Sequence, residues 1–127
     1  MPDKSVAQKL LIKENYQVLL LNEPGGYRSL LGDLPPKVTL LTSATGPTDF
    51  IQVFVTLRKE LEQRLPELKK ALKTKGLLWV SYPKGTSKIK VDINRDYIRE
   101  YAQSLGPEAV TMVSIDDTWS ALRLKVV

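Results

Sequence analysis

Four short stretches carry the side chains that could do chemistry. Asn22, Glu23, Pro24, Gly25 and Gly26 follow an apolar run and bring the glycines of a ligand loop. Lys84, Gly85, Thr86, Ser87 and Lys88 offer two ammonium groups and two hydroxyls, the donors that an anion needs. Asp92, Asn94 and Asp96 alternate at the first three ligand positions of a calcium loop. Asp116 and Asp117 stand side by side, as a pair of acid and base carboxylates would.

Absences narrow the chemistry further. The 127 residues include no Cys and no His. Disulfides, thiolate nucleophiles, Ser-His-Asp arrangements and the commonest transition-metal ligands are therefore excluded. Any catalysis would have to use carboxylates, Lys, Tyr or positioning alone.

Most of the four stretches also have a structural explanation. The calcium loop fails because Tyr97 stands where it needs Gly and Gln103 where it needs Glu, so helix capping accounts for Asp92 and Asn94. Adjacent Asp residues at a hairpin tip form turns. Trp79 and Trp119 could stack a base, but core packing suits them better. In the glycine stretch, Gly25 and Gly26 are adjacent rather than spaced, and Pro24 removes a backbone donor. A tight strand-to-helix turn explains that loop. No catalytic residue and no metal ligand is assigned.

The elements that must hold these stretches alternate along the chain. Ser5 to Gln8 reads as a capping box opening a helix to about Leu11. Tyr16–Leu21, Val38–Leu41, the run from Phe50 and Leu77–Tyr82 have strand length and strand residues. Tyr27–Leu34 makes two helical turns before Pro35 and Pro36. Leu57, Leu61, Leu65, Leu68 and Leu72 recur at helical spacing, which predicts a helix from Thr56 to Lys73. Pro66 should kink or break it, and Gly76 should cap it. Asn94–Leu105 is a further helix ended by Gly106, and two last strands flank Asp116–Thr118 as a hairpin. The final strand alternates Ser120, Leu122, Leu124 and Val126 on a core face with Trp119, Ala121, Arg123 and Lys125 on a half-covered one.

Charge is uneven. The chain carries +5 overall, yet residues 1–49 hold five basic and five acidic side chains. Lys69–Lys90 has seven lysines and no carboxylate. The strand at Leu77–Tyr82 divides this block between opposite edges of the sheet, so nucleic-acid binding is disfavoured and the helix dipole accounts for Lys69–Lys75. No apolar run reaches the roughly 18 residues of a membrane span, and Met1–Gln8 has no signal character, so a cytoplasmic location is expected.

The order strand, helix ending "LKTKG", strand "LLWVSYPKG", helix and hairpin resembles the second half of class I S-adenosylmethionine-dependent methyltransferases. Asp49 looks like the Asp that often opens their fourth strand. "VSYPK", "NRD" and "TWSALR" also resemble a family of small bacterial proteins grouped as a domain of unknown function. The resemblance implies a truncated, Rossmann-like α/β domain over residues 1–127, with residues 1–15 as a helical extension. Its three layers would enclose about six strands in the order 2-1-3-4-6-5, mostly parallel, with the last strand antiparallel. The short stretch from Leu41 to Phe50 leaves the direction of the second strand open, leaning to parallel. The same resemblance implies S-adenosylmethionine as the cofactor to test, but both holding features are missing. The glycines are not spaced, and "LLTSAT" has no carboxylate for the ribose.

The expectation is therefore no cofactor and no retained catalysis. A domain acting in protein interaction or self-assembly ranks first. A small-ligand or anion binder at the carboxyl edge of the sheet follows, using Asn22, Gly25, Gly26, Ser43, Tyr82, Lys84, Thr86, Ser87 and Lys88. A divergent methyltransferase ranks third.

Overall fold

A computed structural model describes residues 6–32, 34–43, 47–84 and 91–125, with the side chains of Thr74 and Lys75 left aside. The capping box at Ser5 and the stretch Gly85, Thr86, Ser87, Lys88 lie outside the described residues.

Strands β1 (Gln17–Leu21), β2 (Thr39–Leu41), β3 (Thr48–Phe54), β4 (Leu72–Pro83), β5 (Glu108–Ser114) and β6 (Trp119–Lys125) form one sheet in the order 2-1-3-4-6-5. β2, β1, β3 and β4 run parallel, and β6 is antiparallel to both its neighbours. Helices α1 (Val6–Lys9) and α2 (Tyr27–Leu31) cover one face, and α3 (Arg58–Ala71) and α4 (Arg95–Leu105) cover the other.

Burial of apolar strand residues on both faces forces this layering. Leu19, Ile51, Val53, Leu78, Val80, Leu122 and Leu124 meet Leu61, Leu65, Leu68, Ile98 and Ala102. Val18, Leu20, Phe50, Phe54, Trp79 and Ala121 meet Val6, Ala7, Leu10, Tyr27 and Leu31. The indole nitrogen of Trp79 donates to Leu10 O at 3.1 Å, which ties the N-terminal segment to the middle of the sheet.

β2 runs parallel to β1 although only six residues separate it from β3. The short connection works because β2 is short. Leu41 lies level with Leu19 and Ile51, so Thr48 stands about three positions back and two strand spacings across, with β1 between. That is about 14 Å at the usual strand spacings, well within an extended six-residue reach.

Several boundaries differ from the sequence reading. α2 stops at Leu31, because Gly32 at φ 81° turns the chain before the prolines. α3 passes through Pro66 as one helix from Arg58 to Ala71. Gly76 does not cap α3 but lies inside β4, which starts at Leu72. There Lys73–Gly76 bulge past the single β3 residue Asp49. A Cβ on Gly76 would sit 2.9 Å from Lys73 O, so the bulge closes only with glycine. From it Lys73 reaches Asp49 Oδ1 at 3.2 Å, while Asp49 Oδ2 accepts the backbone N–H of Gln17 at 2.9 Å. Asp49 therefore joins the amino ends of three strands. Lys69, from the same basic run, donates to Leu105 O and satisfies the end of α4.

Candidate functional site

Open α/β sheets bind ligands where the chain order reverses, outside the carboxyl ends of the strands. In this order the reversal falls between β1 and β3. Asn22 follows β1 in the left-handed region, at φ 62°, a conformation that Asn tolerates better than most residues. Its amide crosses the gap and donates to Phe54 O at 3.2 Å and to Glu60 Oε2 at 2.9 Å. Glu60 Oε1 in turn accepts Thr56 N at 2.9 Å, Thr56 Oγ1 at 3.0 Å and Leu57 N at 3.0 Å. Burial pushes the Glu60 carboxyl up, but these donors outweigh it and hold the group below its ordinary value. Asn22 and Glu60 thus bridge the reversal point.

The glycine loop closes the same end from the other face. Gly26, at φ 81°, turns β1 into α2, and neither Gly25 nor Gly26 has an atom within 4 Å of where a Cβ would stand. Directly after them Tyr27 enters the core. Its hydroxyl donates to Gln52 Oε1 at 2.6 Å, and Gln52 Nε2 donates to Ser81 Oγ at 2.8 Å. Burial pushes the Tyr27 phenol well above its usual range. Phe54 stands edge-on to both Tyr27 and Trp119, with ring centres 4.6 and 5.1 Å apart. Behind the loop a cavity of about 300 Å³ runs to Asp116 and Thr118. Asp116 Oδ1 accepts the amides of Thr118 and Trp119 at 2.8 and 2.7 Å, so this carboxylate forms the turn.

The other end of the carboxyl edge is open. A cavity of about 340 Å³ lies between the end of β4, the start of α4, and strands β5 and β6. Tyr82, Pro83, Val91, Ile93 and Met112 give it an apolar floor, and Lys84, Asn94, Arg95, Asp96 and Ser120 supply polar groups. The Lys84 amide donates to Thr118 O at 2.7 Å, which fixes the residue, and its ammonium donates to Ser114 Oγ at 2.7 Å. Burial raises the Tyr82 phenol, and the nearby Arg95 charge works against that rise.

The expected ligand residues that are described are therefore divided among separate places. Asn22 forms the bridge, and Gly25 and Gly26 line the cavity beside Asp116. Ser43 lines a cavity of about 220 Å³ with Leu21, Thr42 and Arg64, and Tyr82 and Lys84 share a third. Sequence reasoning missed Glu60, although a Glu three residues into a helix is a capping signal. It also missed Arg95, Ile93, Met112 and Ser120, which reach the cavity from separate elements. Asp92 and Asn94 do cap helices: Asp92 Oδ1 accepts Arg58 N at 2.7 Å, and Asn94 Oδ1 accepts Tyr97 N at 2.9 Å. Among the described residues no cluster of carboxylates could hold a metal ion. No described helix is long and apolar enough to cross a membrane.

Known structures match this architecture over nearly the whole chain. An S-adenosylmethionine-dependent methyltransferase from Aquifex aeolicus superposes with a TM-score of 0.67 at 17% identity, over 96% of this chain and 88% of its own. A TehB-like S-adenosylmethionine-dependent methyltransferase from Corynebacterium glutamicum gives 0.61 at 14%, over 98% and 89%. A ribosomal protein L11 methylase from Lactobacillus delbrueckii gives 0.61 at 12%, over 95% and 74%. The chain has the Rossmann-like methyltransferase fold. No protein-family model and no curated protein matches it. At these identities the likeness extends to the fold alone.

Proposed function

We propose that this methyltransferase-like domain works by association rather than by methyl transfer. The observation that carries the reading is the Asn22 bridge, which fills the reversal point with internal hydrogen bonds. A cofactor there would have to break the Asn22–Glu60 contact and leave Phe54 O without this partner, a cost of about 1–3 kcal/mol per stranded group. The second support is β5. It is an edge strand of seven residues, five of them exposed, with no charge between Ala109 and Ser114. Val110 and Met112 are 45% and 46% exposed. Such an edge is a template for adding a strand from another chain, and the register slip between Ala109 and Thr111 confines regular pairing to Thr111–Ser114.

The fold likeness favours a second reading, a methyltransferase with a divergent pocket. Calorimetry separates the two: titration with S-adenosylmethionine gives no binding heat if the bridge holds, and saturable heat if the second reading is right. Sedimentation over a range of concentrations tests self-assembly. A dimer lost in the double variant V110K/M112K supports β5 as the contact. A monomer at every concentration excludes a second copy as the partner.

A further inference from the structure

The cavity at the end of β4 holds polar groups that the fold does not use up. Tyr82 is only 6% exposed, and its hydroxyl meets the thioether Sδ of Met112 at 3.0 Å and the Ser120 hydroxyl, so it stands at the cavity wall held in place by two neighbours. The ammonium of Lys84 gives one bond to a serine hydroxyl and has no carboxylate partner among the described ion pairs. Among the described residues Arg95 pairs with the exposed Asp96, at 3.7 Å, and Asp96 is shared with Arg99 at 3.8 Å. Lys84 and Arg95 thus offer more donors than the described residues around them accept. Beneath them Ile93, Pro83 and Met112 form an apolar wall that no charged ligand alone would need.

We infer that this cavity binds a small anion with an apolar body, its carboxylate or phosphate head toward Lys84 and Arg95 and its body against Ile93 and Met112. The volume of about 340 Å³ is near the low end for ligand pockets, which suits one ring or a short chain. Charged hydrogen bonds supply the orientation, and burial of the apolar body supplies affinity that free phosphate lacks. The inference does not depend on β5 recruiting a partner.

The test is an amide chemical-shift titration of the whole chain with four probes: benzoate, phenyl phosphate, inorganic phosphate and the neutral isostere benzamide. Benzoate or phenyl phosphate should move the amides of Tyr82, Lys84, Ile93 and Arg95 in a saturable way, and which of the two binds tighter identifies the head group. Lys84→Met and Arg95→Gln should each weaken that binding by about tenfold. Lys84→Arg should restore it, and unchanged dispersion of the remaining resonances shows that each variant is folded. Binding of benzamide as tight as that of benzoate would overturn the proposal. So would equal binding of inorganic and phenyl phosphate, full affinity in both charge-removing variants, or no shift with any probe at millimolar concentration.

Discussion

The two ends of the carboxyl edge dispose of their polar groups in opposite ways. Between β1 and β3, Asn22, Glu60, Thr56 and the Phe54 carbonyl bond to one another, and Tyr27 and Gln52 do the same just beneath. At the end of β4, Lys84 and Arg95 face a cavity with few partners among the described residues. The first end is where the fold customarily holds a ligand, and the second is where free donors remain. A scaffold's usual site and its chemically available site need not coincide, because packing fixes the first and side-chain chemistry the second.

If the closed end is structural, damage there should cost far more stability than damage at the open end. Phe54→Ala removes a ring that is 1% exposed and two edge-on aromatic contacts. It should cost about 3–5 kcal/mol in urea unfolding. A loss below about 1 kcal/mol would break the contrast. Tyr27→Phe keeps the ring but leaves Gln52 Oε1 buried without the donor it now has, for a loss of about 1–3 kcal/mol by the same measurement.

Glu60→Gln should cost about 0.5–2 kcal/mol, the range of a helix cap. The pH dependence tells more. The folded-state pKa of Glu60 lies below its ordinary value of 4.5, so the unfolded chain binds this proton more readily. Its contribution is present above pH 4.5 and is lost as pH falls through the lower folded value. Unfolding measured from pH 7 down to 3 should show an acid limb that is shallower in the Gln variant. The smallest effect belongs to the open end. Lys84→Met should change stability by no more than about 0.5 kcal/mol, because the partner of Lys84 Nζ among the described residues is an exposed serine. A larger loss would place Lys84 among the structural groups.

Much of the scaffold was legible in the sequence because apolar runs and leucine spacing report burial directly. The Leu122 and Leu124 face of the last strand follows from such local patterns, while the order 2-1-3-4-6-5 and the antiparallel last strand follow from the resemblance to methyltransferases. The Lys73–Gly76 bulge did not, since a glycine after a basic turn reads as a cap whether the chain stops or folds back. The bridge was hidden for another reason. Asn22 meets Phe54 and Glu60 across 32 and 38 residues, and no local spacing encodes that distance. The open cavity gathers Tyr82, Ile93, Met112 and Ser120 from separate elements, so only Lys84 and Tyr82, both at a strand end, could be named in advance.

The central proposal is that the Asn22–Glu60 bridge closes the reversal point between β1 and β3 to a nucleoside cofactor. The most direct test is an amide chemical-shift titration with S-adenosylhomocysteine, read at Asn22, Gly25, Gly26, Ser43 and Val55. The account predicts that none of these five signals moves at millimolar ligand. Saturable shifts centred on them would contradict it.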